Sequence, residues 1–266
     1  MPVARLNGIN LSYEVRGSGD LVVLVMGTGS PGRVWSLHQV PALLAAGYRV
    51  ATFDNRGIPP TDECAEGMTI GDLVADTAAL ITHLGAPARV VGTSLGARVV
   101  QELALARPDL ITHAVAMAAH ARMDTTGLLM NDGEKALHDE KTVLPPAYHA
   151  AAYALRNLSP ATLRDPQRAQ DWLELFEMSG SAIGPGTRAQ LELSGPGDRR
   201  AAYAAITVPT LVIGFADDTT IPAHLSREVA DAIPGARYEE IPDTGHLGYL
   251  ERPEVVNRVV LDFLAG

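Results

Sequence analysis

The chain has 266 residues, 47% of them hydrophobic and 20% charged, which fits one large globular domain and excludes a disordered or fibrous chain. A formal net charge of −10 disfavours nucleic acid and anionic membrane as partners, because both call for basic surface. Cys64 is the single cysteine, so no internal disulfide is possible; the first residues carry no charged-then-apolar leader and no apolar run reaches membrane-spanning length, so a soluble cytoplasmic protein is the expectation.

Taken in chain order, residues 3–16 alternate apolar and polar side chains around Asn7-Gly8, which predicts a β-hairpin at a sheet edge. Leu21 to Met26 is a continuous apolar run, the form of a strand buried on both faces. Val34 to Ala46 reads as a helix closed by Gly47, and Tyr48 to Phe53 as the next buried strand. Thr69-Ile70-Gly71-Asp72 is a capping box ahead of a helix that sets Ile70, Leu73, Val74, Leu80, Ile81 and Leu84 on one face and stops at Gly85. A strand from Arg89 to Gly92, a helix ending before Pro108 and a strand from Ile111 to Ala118 follow.

Strand and helix alternation then stops. From about 122 to 205 the chain is rich in Ala, Leu and Arg and is broken by Pro145-Pro146, Pro160, Pro166, Pro185 and Pro196, which predicts several short helices. The alternation resumes at Thr210 with a strand, a helix near 222–232, a strand from Arg237 to Ile241 and a last helix beginning at Pro253 that buries Val255, Val256, Val259, Val260 and Phe263. Residues 1–121 and 206–266 are thus expected to form one core, with 122–205 a helical cap inserted in it.

Three motifs carry chemistry. Gly92-Thr93-Ser94-Leu95-Gly96 follows a strand and opens a helix, the context of a nucleophile elbow; a side chain two residues before or after the serine would collide with neighbouring chain. Asp217-Asp218 follows the strand that begins at Thr210, and His246 lies near the end in His246-Leu247-Gly248-Tyr249-Leu250-Glu251-Arg252-Pro253-Glu254. A serine hydroxyl needs a base within reach, and the base needs a third group to orient it, so the order Ser, Asp, His is a candidate triad.

On these residues nearly the whole chain resembles the α/β-hydrolase family, and within it the capped esterase, thioesterase and non-haem chloroperoxidase-like branch. The resemblance implies an α/β fold with a mostly parallel eight-stranded sheet, flanking helices and an inserted helical cap. It implies Ser94 as nucleophile and His246 as base. The family places its acid four residues before a proline, which is Asp218 ahead of Pro222; counting from Gly214 gives Asp217 instead, and Phe215 stands where the family often has Gly. Its oxyanion hole draws one amide from Leu95 and a second from the loop after the third strand, here Thr28 of Met26-Gly27-Thr28-Gly29, with Met26 where many relatives have His.

Asp54-Asn55-Arg56-Gly57 resembles the Asp-x-Arg-Gly turn of this fold and reads as a structural Arg–carboxylate turn. His120 lies beyond the strand ending at Ala118, at the sheet edge where such sites form; it is a structural histidine or a substrate-binding one. Tyr148 and His149 belong to the presumed cap and are substrate-binding candidates, with His149 and Tyr153 on one face if the segment is helical, against the plainer reading of a solvated cap surface. No cluster has zinc-site spacing, and no metal or cofactor is expected. The expected function is cofactor-independent cleavage of a small-molecule carboxylic ester or thioester through an acyl-enzyme. Relatives in polyketide pathways offer the alternative of a tailoring lyase that eliminates acetate from an acetylated tetronate with the same triad. Perhydrolysis and non-catalytic binding of a small ligand are further alternatives.

Overall fold

The computed structural model describes residues 2–194 and 197–266. It opens with the antiparallel hairpin of β1 (Val3–Leu6) and β2 (Ile9–Arg16), turned by Asn7 and Gly8 at φ of 45° and 80°. A two-residue hairpin turn of this hand needs positive φ at both positions, which Asn and Gly supply. β3 (Leu21–Val25) is buried along its whole length. The segment expected as one helix from Val34 is instead a 3₁₀ turn, Gly32–Leu37, followed by α1 (Gln39–Ala45). Pro41 explains the division: inside a continuous helix its ring would strike the Leu37 carbonyl, whereas in the first turn of α1 it costs nothing.

β4 (Arg49–Phe53) and α2 (Ile70–His83) come next. The Thr69 hydroxyl accepts from the Asp72 amide at 3.2 Å while the Thr69 amide donates to the Asp72 carboxylate at 2.8 Å, the reciprocal cap read from the sequence. Such a cap contributes about 1 kcal/mol. β5 (Ala88–Thr93), α3 (Leu95–Ala106) and β6 (Ile111–Met117) complete the first half of the core.

Between β6 and β7 the described residues form α4 (Thr125–Asp139), α5 (Pro146–Asn157), α6 (Pro160–Leu163), α7 (Pro166–Ser179), α8 (Pro185–Leu191) and α9 (Arg200–Tyr203). Pro146, Pro160, Pro166 and Pro185 each begin one of these helices, where the missing N–H has no intrahelical partner to lose. Pro196 lies outside the described residues. β7 (Thr210–Phe215), α10 (Ala223–Ala232), β8 (Arg237–Ile241), α11 (Gly248–Glu251) and α12 (Pro253–Leu264) close the chain. The sequence pattern did not foresee α11, a single turn.

The eight strands form one sheet in the order β1-β2-β4-β3-β5-β6-β7-β8, antiparallel at β1–β2 and β2–β4 and parallel from β4 to β8. Alternate strand residues enter two cores. Val23, Val25, Val90 and Ala116 pack with residues of α2, α3 and α10; Val22, Leu24, Val91 and Val115 pack with Trp35, α1 and α12. Each such Val or Leu contributes roughly 1.5–3 kcal/mol on full burial. α12 turns Val256, Val260 and Leu264 fully inward, while Val255, Val259 and Phe263 are only partly buried against the same core. Among the described residues no helix is long and apolar enough to cross a membrane.

Candidate active site

Because β5 to β8 are parallel neighbours, the loops at their carboxyl ends emerge along one edge of the sheet. Ser94 follows β5, His120 follows β6, Asp218 follows β7 and His246 follows β8. Ser94 holds φ 55° and ψ −119°, a strained conformation costing about 1–3 kcal/mol that persists only where its surroundings enforce it. They do so here through a 3.0 Å bond from the Ser94 amide to the Met117 carbonyl and through two glycine contacts. A Cβ on Gly92 would lie 2.3 Å from the Gly96 carbonyl oxygen, and one on Gly96 2.1 Å from the Val25 oxygen. The collisions expected two residues to either side of the serine are therefore real.

His246 Nδ1 donates to Asp218 Oδ2 at 2.7 Å, in a pair whose side chains are 12% and 0% exposed. The other oxygen, Oδ1, accepts from the amides of Thr220 and Ile221, each at 2.8 Å. With the carboxylate accepting at Nδ1, the histidine is held in the tautomer that leaves Nε2 as the free base. The bond to His246 is made by Asp218; Asp217 is half-buried, and its amide donates to the Thr244 carbonyl at 2.9 Å. Phe215 fits because Gly248 leaves room for its ring; a Cβ there would come within 2.5 Å of it.

The loop after β3 lies against Ser94. An ideal Cβ on Gly27, the residue before Thr28, would stand 3.3 Å from Ser94 Cβ. The Leu95 amide is the first of α3 and so has no carbonyl of its own helix to bond. Behind this loop, Asn55 Nδ2 donates to the Met26 carbonyl at 2.8 Å. Arg56, in the same turn, forms a two-pronged bond with Asp76 of α2 at 2.8 and 2.7 Å, so its structural role holds but its carboxylate partner comes from outside the turn; Asp54 accepts instead from the Gly32 amide at 2.8 Å.

His120 is 6% exposed, and its Nδ1 has no hydrogen-bond partner among the described residues. Its backbone is fixed by Ala118 at φ 46° and by the Ser226 hydroxyl, which bonds both the amide and the carbonyl of Ala119. Burial, reinforced by the nearby Arg98 guanidinium, pushes its pKa down to about 4. Among the inserted helices the two candidates, Tyr148 and His149, separate. Tyr148 is 63% exposed and open to solvent, not enclosed in a pocket. His149 and Tyr153 are both half-buried, their rings tilted with centroids 5.7 Å apart, and Tyr153 packs edge-on against Phe176 at 4.8 Å, so this face leans on the aromatic cluster among α5 and α7. Among the described residues no three His, Cys, Asp or Glu side chains come together as a metal site.

Two buried residues that tie cap to core escaped the sequence reading. Glu251 accepts from the amide and hydroxyl of Ser159 at 2.9 and 2.8 Å and from the Gly245 amide, next to His246, at 2.6 Å. Gln190 of α8, wholly buried, bonds Gly29 and Arg56. Glu251 stood inside the histidine motif as an unexplained letter; Gln190 had no sequence signal, since its partners lie 161 and 134 residues away.

This constellation on a sheet of this order is that of an α/β hydrolase, and residues 22–259 match the model of the alpha/beta hydrolase family, to which the chain belongs. It is 51% identical over 259 residues to BpoC of Mycobacterium tuberculosis, a protein named as a non-heme bromoperoxidase, covering 97% of this chain and 98% of that one. The crystal structure of BpoC superimposes with a TM-score of 0.93 over 97% of this chain and 96% of that chain. RutD of Variovorax paradoxus, named as a carbamate hydrolase, is 30% identical over 261 residues, covering 96% of each chain. The enol-lactonase of Burkholderia xenovorans, at 27% identity, matches all of both chains with a TM-score of 0.83. The protein is an enzyme of this hydrolase family.

Proposed function

We propose that the protein is a serine hydrolase that cleaves small carboxylic esters or thioesters through an acyl-enzyme, without a cofactor. The observation that carries this reading is the buried His246–Asp218 pair, set on the same sheet edge as a serine held at a strained elbow. Ser94 Oγ attacks the acyl carbon as its proton passes to His246 Nε2. Charge builds on the acyl oxygen, between the Leu95 and Thr28 amides. Such preorganised donors lower the barrier because they need not reorient, and each is worth about 10²–10³ in rate. The tetrahedral species collapses, His246 returns its proton to the leaving oxygen or sulfur, and water activated by the same histidine releases the acid.

The bromoperoxidase name of BpoC supports one variation on this route. Hydrogen peroxide in place of water at the second step would release a peracid from the same acyl-enzyme. Elimination and simple ligand binding have no comparable support. A panel of acyl esters and thioesters run in ¹⁸O-water tests the reading. Attack at the acyl carbon labels the released acid and leaves a free alcohol or thiol, and Ser94→Ala lowers the rate by at least about 10⁴-fold while the fold is kept. Unlabelled acid accompanied by a new alkene would instead mark alkyl-side elimination and overturn the hydrolase reading.

A further inference from the structure

We infer that Gln190, in the cap, is a positioning residue for the oxyanion loop, so that docking of α8 completes the hole. The inference rests on the acyl-enzyme reading and adds to it the part of the cap that acts on the chemistry. Gln190 Oε1 accepts from the Gly29 amide at 2.9 Å and Nε2 donates to the Arg56 carbonyl at 2.7 Å. The orientation of the amide group is fixed by these partners, because a backbone N–H requires the oxygen and a carbonyl requires the nitrogen. The side chain is fully buried, where each of these bonds is costly to lose.

The span between its partners is what gives the contact a catalytic consequence. The oxyanion loop is held at Met26 by Asn55 from the core and at Gly29 by Gln190 from the cap. Thr28, whose amide faces the developing charge in the proposed reaction, lies between the two anchors. Gly29 sits at φ 71°, and its ideal Cβ would be 3.0 Å from Thr187 Cγ2 in the first turn of α8. One residue earlier, a Cβ on Gly186 would lie 2.1 Å from the Gly57 oxygen. Only glycines at 29, 57 and 186 let the start of α8 come this close, and the approach delivers the Gln190 amide to both strand-end loops at once. Releasing the Gly29 anchor frees one end of a four-residue loop whose amide must be placed to within a fraction of an ångström.

The test uses the full-length enzyme with p-nitrophenyl butyrate as substrate and a butyl trifluoromethyl ketone as mimic of the tetrahedral species. Gln190→Met keeps the volume and removes both bonds. It should lower kcat about 10–100-fold with KM nearly unchanged, and weaken the ketone by a matching factor. Gln190→Glu retains an acceptor for the Gly29 amide and should recover part of kcat. Should the Met variant fail to fold, Gln190→Asn, which keeps the amide but falls one methylene short, reads the same quantities. Unchanged kcat, or a fall in kcat without weaker ketone binding, would overturn the assignment and leave Gln190 a mere strut between cap and core. Failure of the underlying reading looks different: ester turnover by the native enzyme would then survive Ser94→Ala.

Discussion

On the sheet side of the site, position is set by backbone. Ser94 is fixed by its own φ and ψ, by the Met117 carbonyl and by the absence of side chains at Gly92 and Gly96; Asp218 is fixed by two amides no more than three residues ahead of it. Where the inserted helices meet the core, position is set by side-chain bonds to backbone. Gln190 reaches Gly29 and Arg56, and Glu251 gathers Ser159 and Gly245 around the base of the His246 loop. Thr219, just past the acid, adds a 2.9 Å bond to the Arg156 carbonyl of α5. The sheet-edge residues thus rest on contacts between near neighbours in the chain, whereas the helices inserted between β6 and β7 are joined to them by a few contacts between residues far apart in sequence.

The largest effect expected on the sheet side is at the acid. Asp218→Asn should cost about 10⁴-fold in kcat, because an amide at that point favours the wrong imidazole tautomer. Asp217→Asn, which leaves the 2.7 Å pair untouched, should stay within a few-fold of native. Steady-state kinetics on the two variants compares them directly; a reversal would transfer the acid role to Asp217.

On the seam between the two regions, Glu251→Ala strands the Ser159 and Gly245 amides without an acceptor and leaves the Ser159 hydroxyl only the Thr162 hydroxyl, at 3.2 Å. With buried donors costing about 1–3 kcal/mol each, a loss near 3–5 kcal/mol is expected by urea unfolding. Activity should fall with it, since Gly245 adjoins His246. A variant as stable as native would show that the cap is held by its apolar contacts alone.

The smallest effect concerns His120. Its folded pKa of about 4 is below the unfolded value near 6.5, so the unfolded chain binds the extra proton first. Stability therefore rises with pH between about 4 and 6.5 and is lost as the pH falls through that window, by up to about 3 kcal/mol from this residue. His120→Asn should flatten that part of the urea-unfolding profile. An unaltered slope would mean that the imidazole is hydrated and charged in the folded protein.

The same contrast governs what the sequence reveals. The Asn7-Gly8 hairpin, the Thr69–Asp72 cap and the elbow are local devices, written in residues that touch, and each stands where the pattern places it. The choice between Asp218 and Asp217 turned on a count from Pro222, and a one-residue question of that kind depends on which carboxylate faces His246 in space. The cap was legible as helices and its prolines as punctuation, though they start helices where they had been read as breaks. Its inward and outward faces were not legible, because adjacent Tyr148 and His149 differ only in which side of α5 they occupy, and that is set by packing against Phe176 in another helix.

Capture of the covalent intermediate tests the central claim most directly. The enzyme is mixed with p-nitrophenyl pivalate, whose hindered acyl group slows deacylation, then quenched in acid and digested for mass spectrometry. The peptide carrying Ser94 should gain the mass of one pivaloyl group, with fragment ions placing it on that serine, and the Ser94→Ala protein should gain none. Turnover of the ester with no acyl group on Ser94, or with the group on another residue, would contradict the mechanism.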